Sequence, residues 1–244
     1  MDNAVAERES LSERVGHRFA CPELLTEALS HRSWCHEHGS IPNERLEFLG
    51  DAVLGLCVCD HAMRNWPRLC PGELSAVRAA VVNAESLAEA ARECGLGAAL
   101  LLGRGEAGTG GADKDSILAG AFEAVLGAAY LDAGLDAARG VVDRLLGPLI
   151  ALEATQPGAG EAKTRLQELV ARQFTVEPSY RVSSSGPAHR PSFVAEALVG
   201  SEIWGRGEGS SKRLAQRRAA EAAYARMTET STQQQSIPEE PAHG

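Results

Sequence analysis

The sequence predicts two unlike domains, an all-α domain followed by a small α+β domain with the order α-β-β-β-α. Two observations predict this division. Residues 8–154 carry apolar residues at helical spacing, whereas residues 161–228 switch between helical and strand-like periods. Residues 155–160 have the Gly, Pro and Thr composition of a linker. The polar end, residues 229–244, is rich in Ser, Thr, Gln, Pro and Glu and is predicted to be a disordered tail.

In the first domain, glycines and prolines separate the helical segments from one another. The predicted helices cover residues 24–29, 45–66, 75–94, 116–131 and 135–152. The glycine-rich stretch 103–111 is predicted to be a flexible loop, because repeated glycines disfavour a helix. A phosphate-binding loop is not indicated there, because no strand–loop–lysine pattern surrounds it.

The second domain is predicted to begin and end with a helix and to hold three strands between them. The helices cover residues 162–174 and 211–227, and the strands cover residues 180–183, 192–199 and 202–207. Hydrophobic residues make up 44% of the 244 residues, enough for a core in each domain. Because only 5% are aromatic, Ala, Leu and Val must build most of both cores.

Charge divides the chain in the same way. The whole protein carries a net charge of −9, which argues against nucleic-acid binding by its entire surface. Residues 161–228 nevertheless hold 11 Lys and Arg against 7 Asp and Glu, a net charge of +4, whereas residues 1–160 carry −10. An acidic body joined to a basic module indicates that nucleic-acid binding, if present, is confined to the second domain.

All six cysteines lie in the first domain, and none forms a Cys-x-x-Cys pair. This spacing makes a zinc site improbable and favours buried free thiols. No stretch approaches the roughly 20 apolar residues of a membrane span, and the N-terminus lacks an apolar signal core. We therefore expect a cytoplasmic protein without a membrane partner.

The most informative segment is an apolar helix, residues 43–54, that carries three carboxylates. At about 100° per residue, Glu44, Glu47 and Asp51 fall within an arc of roughly 60°. Burying ionised groups without a partner is costly, so carboxylates on a packed helix need a cation. The alternative is an acidic face exposed to solvent.

This run resembles the signature of ribonuclease III, the double-stranded-RNA endonuclease family, over twelve consecutive positions. The resemblance extends over nearly all of residues 8–228. Further matching segments are residues 71–75, 114–119 and 122–124. The family fold agrees with the predicted one, an all-α endonuclease domain followed by an α-β-β-β-α double-stranded-RNA-binding domain.

The resemblance implies a set of active-site residues. Glu47, Asp51 and Glu123 would be ligands of Mg²⁺, with Mn²⁺ as a substitute, and Asp51 and Glu123 would be catalytic. Glu44 would have a supporting role near a dimer interface. Lys114 would bind a phosphate near the metal, although a solvated loop lysine is an equally good interpretation.

One position departs from the family pattern. The family has an aspartate three residues before the glutamate that matches Glu123, and this chain has Gly120 there. Water in the vacant coordination position would leave a weaker metal site. The alternative function is a double-stranded-RNA-binding protein that cuts poorly or not at all. Because the other three carboxylates are present, we favour the enzyme.

The second domain resembles a double-stranded-RNA-binding domain in three regions, namely the first helix, the loop after the first strand and the start of the last helix. Duplex RNA offers 2′-hydroxyls across its minor groove and phosphates between the grooves, so it is recognised by polar groups and cations. The residues predicted to bind RNA are Thr164, Gln167, Glu168, His189, Ser211, Lys212, Arg213 and Gln216. Gln216 stands where the family has a basic residue, and Arg217 is a candidate substitute.

As a whole, the resemblance implies a homodimer in which each acidic centre hydrolyses one strand of a duplex RNA. The products would carry 5′-phosphates and short 3′ overhangs, and the substrates would include ribosomal RNA precursors and structured messenger RNAs. Gly50 is expected to permit close backbone approach at the dimer face.

Overall fold

The computed structural model describes residues 2–155, 157, 161–174, 176–185, 192–209 and 212–234. The chain divides into two compact units at Pro157, within the segment predicted to be a linker. Most of that segment lies outside the described residues, as do His189 and Ser211. The first unit is helical and the second is α+β, which confirms the predicted fold class.

Ten α-helices form the described part of the first unit. They are α1 (Asp2–Val15), α2 (Pro22–Ala28), α3 (Arg32–His38), α4 (Glu44–Asn65), α5 (Pro71–Val81), α6 (Ala84–Glu93), α7 (Leu96–Ala99), α8 (Arg104–Gly108), α9 (Asp115–Leu145) and α10 (Gly147–Thr155). The helix predicted over residues 45–66 is confirmed as α4, with each boundary shifted by one residue.

The single helix predicted over residues 75–94 is wrong, because the chain forms α5 and α6 there. Asn83 has an extended backbone (φ −148°, ψ 158°) and starts α6 as its N-cap residue. Its side-chain oxygen accepts a hydrogen bond from the Ser86 backbone N–H at 3.0 Å. Apolar residues continue at helical spacing through this break, so periodicity alone merged the two helices.

The flexible loop predicted over residues 103–111 is also wrong. This stretch contains the short helix α8 and leads into a 3₁₀ turn, Gly111–Asp113. Helix α3 holds it by two hydrogen bonds, one from the Gly103 N–H to Ser33 Oγ and one from the Arg104 N–H to Glu37 Oε1, both 2.9 Å long. These tertiary bonds order a segment whose composition favours disorder.

The break predicted at Gly134 is confirmed as a kink within α9. Gly134 has φ +79°, a left-handed conformation that glycine adopts without strain. Just before the kink, the Asp132 carboxylate accepts hydrogen bonds from the backbone N–H groups of Ala20 and Cys21. The helix predicted over residues 135–152 instead ends at Leu145, and α10 follows.

Helices α4 and α9 cross at the centre of the first unit, and glycines allow their backbones to touch. A Cβ atom at Gly50 would lie 1.8 Å from the carbonyl oxygen of Glu123. A Cβ atom at Gly127 would lie 2.3 Å from the carbonyl oxygen of Leu46. The close approach expected of Gly50 therefore occurs within the chain, and its assignment to a dimer face was wrong.

By length and composition, α9 could cross a membrane, which the sequence analysis did not anticipate. In the structure, 61% of its most apolar window is buried among the other helices. This burial is typical of the central helix of a globular domain.

In the second unit, helix α11 (Glu161–Gln173) is followed by strands β1 (Pro178–Ser185), β2 (Ser192–Val199) and β3 (Glu202–Gly209) and helix α12 (Lys212–Gln234). The strands form an antiparallel sheet in the order β1-β2-β3, and both helices pack on it. Helix α12 extends to Gln234, so the predicted disorder is wrong for residues 229–234. The rest of the predicted tail lies outside the described residues.

Candidate functional site

A cavity of about 700 Å³ opens in the first unit where the beginnings of α4 and α9 lie side by side. All four carboxylates that the sequence analysis assigned to the active site line it. They are Glu44, Glu47, Asp51 and Glu123. The structure thus brings together acidic residues from two segments about 75 positions apart in the chain.

The α4–α9 crossing explains this convergence. Glu47 and Asp51 are one helical turn apart on α4, so they project from the same side of the helix. Gly50 lies between them and presses against the backbone of Glu123 on α9. The glycine contact therefore brings the Glu123 backbone directly against the turn of α4 that carries the two other carboxylates.

Burial raises the pKa values of two of these carboxylates, Glu123 and Glu47, and neighbouring negative charges add to both shifts. Burial, followed by the negative charges of Asp51 and Glu47, raises the pKa of Glu123 to about 7. Burial and the charge of Glu44 also raise the pKa of Glu47, and Arg32 opposes this shift. A bound cation would relieve both the repulsion and the loss of hydration.

Gly120 faces this cluster. A Cβ atom built there would lie 2.9 Å from the Cδ atom of Glu47 and 3.0 Å from each of its carboxylate oxygens. The space that a side chain at position 120 would need is therefore filled by the Glu47 carboxylate.

The donor set is compatible with a hard divalent cation. Glu47, Asp51 and Glu123 offer only carboxylate oxygens, the ligands that Mg²⁺ prefers, and Mg²⁺ keeps several waters so that few protein ligands suffice. Within the described residues, no group of three or more His, Cys, Asp or Glu side chains is arranged as a ready-made metal site. The three carboxylates fit such an ion in chemistry and location and would have to draw together around it.

Cationic and polar residues line other parts of the cavity. Lys114 is exposed, and its Nζ atom donates to Glu106 Oε1 at 2.5 Å and to Thr109 Oγ1 at 3.2 Å. Glu44 is exposed, and its Oε1 atom lies 3.9 Å from Arg32 Nη1. The cavity thus combines acidic metal-binding candidates with groups that can contact an anion.

Sequence reasoning missed His31, Arg32 and Glu106 as lining residues of the cavity. Burial is the main cause that lowers the pKa of His31, so its imidazole is predominantly neutral at pH 7. The positions of His31, Arg32 and Glu106 depend on a long-range contact between the segment after α2 and the segment before α8. This contact includes the bridge between Ser30 and Leu101. No local pattern in the sequence signals this pairing.

In the second unit, the predicted RNA-binding residues of α11 form an exposed row. Thr164, Gln167 and Glu168 are all exposed. Leu166 and Val170, on the other side of the same helix, are fully buried in the core. The helix therefore displays polar groups outward at the spacing that the sequence predicted.

At the start of α12, the structure separates the basic residues. Lys212 is exposed and Arg213 is half-buried. Gln216 accepts a hydrogen bond of 2.8 Å from Lys163 Nζ, which links α12 to α11. Arg217 is only 4% exposed, so its suggested role as a substitute RNA-binding cation is wrong.

Two known families match the chain, one in each unit. Residues 22–149 match the ribonuclease-III-like family, and residues 162–227 match the double-stranded RNA binding motif. Each match falls inside one of the two structural units.

Similar proteins match almost the whole chain. Ribonuclease 3 of Thermobifida fusca is 52% identical over 90% of this chain and 91% of its own length. Ribonuclease 3 of Streptomyces coelicolor is 49% identical over 91% of this chain and 81% of its own length. The solved nuclease domain of ribonuclease III from Campylobacter jejuni, described as flexible in a region involved in dimer formation, is 40% identical. It covers 57% of this chain and 96% of its own length with a TM-score of 0.54.

Proposed function

This chain belongs to the ribonuclease III family, and from that premise we propose that the cavity between α4 and α9 is its catalytic centre. The protein is a double-stranded-RNA endonuclease, a ribonuclease with a separate RNA-binding domain. The alternative of a weakened or inactive RNA-binding protein has no support among its relatives. The observation that carries the proposal is the convergence of Glu47, Asp51 and Glu123 on one cavity.

The enzyme is a metal-dependent nuclease, and we assign Mg²⁺, with Mn²⁺ as a substitute, to these three carboxylates. When bound, the ion supplies an activated water, an electrophile for a nonbridging phosphate oxygen and stabilisation of the leaving 3′ oxygen. Glu47 and Asp51 contribute ligand oxygens from one face of α4, and Glu123 contributes oxygens from α9. Repulsion between these negatively charged carboxylates in the metal-free protein favours binding of a cation.

The chain's own groups position the RNA and the attacking water. Asp51 and Glu123 face the cavity as hydrogen-bond acceptors and would orient the water for in-line attack. Lys114, held by Glu106 and Thr109, would present its ammonium to a phosphate of the bound strand. Glu44 would support the centre from its outer rim, where it lies near Arg32.

The second unit would hold the duplex. The exposed side chains of Thr164, Gln167 and Glu168 can form hydrogen bonds with 2′-hydroxyls in one minor groove. Lys212, at the positive end of α12, suits the phosphates between grooves, and Arg213 would add to this charge. His189 and Ser211 remain assigned to the same function by the family resemblance.

We further propose that the enzyme is a homodimer in the cytoplasm. Large apolar side chains are exposed along one face of α4, with Phe48 at 83%, Leu56 at 53% and Met63 at 61% of their full exposure. Such a row on a helix beside an active site is typical of an interface with a second protein surface. Two centres would then cut the two strands, leaving 5′-phosphates and short 3′ overhangs on ribosomal RNA precursors and structured messenger RNAs.

The test is cleavage of an end-labelled RNA duplex by Glu123→Gln, with Glu93→Gln as the matched control. Burial also raises the pKa of Glu93, but that residue lies outside the cavity. We expect Glu123→Gln to lower the cleavage rate by at least about 10³-fold without weakening duplex binding, and Glu93→Gln to cleave normally. Normal cleavage by Glu123→Gln would contradict the assignment of this cavity.

A further inference from the structure

We propose that Arg92 is a positioning residue for Lys114, because it binds the two aspartates that flank this lysine and so fixes where its ammonium enters the cavity. The inference rests on the proposed role of Lys114 as a phosphate-binding residue. Arg92 lies on α6 and, among the described residues, is not one of those that line the cavity. It would therefore act on the substrate only through Lys114.

Arg92 holds the chain on both sides of Lys114. Its Nε atom donates to Asp113 Oδ1 at 2.6 Å, and its Nη2 atom donates to the Asp113 carbonyl oxygen at 2.7 Å. The same Nη2 atom donates to Asp115 Oδ1 at 2.5 Å. The planar guanidinium thus contacts two carboxylates and one backbone carbonyl within three consecutive residues, a fork geometry that a lysine could not reproduce.

The two sides of this contact differ in rigidity. Helix α6 is anchored in the core of the first unit by Leu87, Ala88 and Ala91, which are at most 1% exposed. Residues 103–111, which lead to Lys114, contain five glycines and have little helical preference of their own. Arg92 therefore ties a segment with weak local preferences to a well-packed helix.

Arg92 also removes a competition for the Lys114 ammonium. Lys114 stands between two aspartates in the sequence, and opposite charges this close attract one another. Hydrogen bonds to Asp113 and then to Asp115 are the main causes that raise the pKa of Arg92. Because both carboxylates bind the guanidinium, the ammonium instead contacts Glu106, which lines the cavity.

The contact is too exposed to contribute much to the stability of the fold. The side chain of Arg92 is 41% exposed, and those of Asp113 and Asp115 are 80% and 58% exposed. Exposed ion pairs add little to the free energy of unfolding. Loss of Arg92 should therefore change the position of Lys114 more than the stability of the protein.

The experiment measures steady-state cleavage of a short RNA duplex by the full-length protein in Arg92→Gln, Lys114→Ala and the double variant. Lys114→Ala should raise KM about tenfold through loss of one phosphate contact. Arg92→Gln should raise KM about threefold and leave kcat within about twofold of the wild type. Because Arg92 acts through Lys114, Arg92→Gln should have no further effect when residue 114 is already alanine.

Arg139→Gln is the matched control. Arg139 also forms ion pairs with two aspartates, Asp60 and Asp136, but within the described part of the chain these three residues are not among those that line the cavity. It removes the same charge as Arg92→Gln, so it should leave KM unchanged with or without Lys114. Thermal unfolding is measured for every variant, and the midpoint of Arg92→Gln should lie within about 2 °C of the wild type.

The outcomes separate this inference from the proposed function. If Lys114→Ala raises KM and Arg92→Gln does not, the positioning role is overturned and the phosphate contact of Lys114 stands. If Lys114→Ala leaves KM unchanged, the phosphate contact itself is contradicted, and the role of Arg92 falls with it.

Three further results would also overturn the inference. An equal rise in KM for Arg92→Gln with and without Lys114 would show that Arg92 acts by another route. An equal rise for Arg139→Gln would show a general effect of charge. A drop in the thermal midpoint of Arg92→Gln far larger than that of Arg139→Gln would show that Arg92 serves the fold.

Discussion

The acidic cavity of the first unit and the helices that we propose to contact RNA in the second unit use charge in opposite ways. The cavity gathers two half-buried carboxylates, Glu47 and Glu123, and two exposed ones, Glu44 and Asp51, at a crossing of two helices whose backbones touch. The second unit displays Thr164, Gln167 and Lys212 on exposed positions of α11 and α12. One region concentrates like charges around a single cavity, and the other distributes polar groups and cations over its surface.

The difference shows how each region depends on the fold. Negatively charged groups that repel one another are held close together only by tight packing around them. The acidic cavity should therefore be sensitive to small steric changes. Residues that contact phosphates need only be exposed on the surface, and each adds a modest, salt-dependent share of the affinity for RNA. Substitutions in the two regions should therefore differ both in size and in what they affect.

The largest expected effect is that of Gly50→Ala. The added Cβ atom would lie 1.8 Å from the Glu123 carbonyl oxygen, so α4 and α9 must separate. We expect the free energy of unfolding to fall by about 3 kcal/mol, despite the better helix propensity of alanine, and cleavage to be largely lost. Chemical denaturation checks the first outcome and duplex cleavage the second.

Gly140→Ala is the control for this prediction, because its Cβ atom would project into open space. It should gain about 0.5–1 kcal/mol from helix propensity. Equal stability of the two variants would show that the crossing does not hold the cavity together.

The next effect concerns Phe48, the most exposed of the large apolar side chains on α4. If a second copy covers this row, Phe48→Asp places a charge in the interface and should weaken dimerisation about 100-fold. Sedimentation equilibrium measures this directly. Leu131→Asp, on an exposed position of α9, should leave the dimer unchanged. A wild-type protein that remains monomeric at micromolar concentration would refute the proposed dimer.

A smaller effect is expected for the pH dependence of stability in the metal-free protein. The folded state raises the pKa of Glu123 from 4.5 to about 7, so its contribution to stability is complete below pH 4.5 and is lost as pH rises through 7. Glu123→Gln should therefore be more stable than wild type by about 1–2 kcal/mol at pH 8, after allowance for solvent screening.

The extra stability of Glu123→Gln over wild type should shrink as the pH falls to 5. Added Mg²⁺ should also reduce this difference in free energy of unfolding at pH 8, because it stabilises the wild type. Urea denaturation at both pH values, with and without Mg²⁺, gives the comparison. If the free energies of unfolding of Glu123→Gln and wild type differed by the same amount at both pH values, folding would not raise the pKa of Glu123.

The smallest functional effect is expected in the second unit, where two basic residues of α12 should separate RNA binding from stability. Lys212→Ala should weaken duplex binding about threefold and reduce the slope of log affinity against log salt by roughly 1, without loss of stability. Arg217→Ala should lower the free energy of unfolding by about 1–2 kcal/mol through lost packing and leave the salt slope unchanged. Filter binding across a salt series, paired with thermal melts, distinguishes the two variants. A stability loss in Lys212→Ala together with a changed salt slope in Arg217→Ala would contradict the placement of both side chains.

The sequence was informative wherever a property is periodic along the chain. The acidic face of α4, the kink at Gly134 and the α-β-β-β-α order of the second unit all follow from local patterns. The outward row on α11 likewise follows from spacing alone. These features need no knowledge of distant contacts.

Features that depend on tertiary contacts could not be predicted. The order of residues 104–113 depends on hydrogen bonds from α3 that no local composition reveals. Arg217 lies within a run of basic residues, and only packing of α12 on the sheet shows that it is buried. The contact between Gly120 and Glu47 joins two helices more than 70 residues apart, so neither local sequence reveals that the Glu47 carboxylate lies beside Gly120.

The most direct test of the account is anomalous diffraction from crystals of the protein soaked in manganese. We expect a manganese peak within coordination distance of carboxylate oxygens from Glu47, Asp51 and Glu123. A manganese-soaked crystal with no peak between α4 and α9, or with these side chains directed apart, would contradict it.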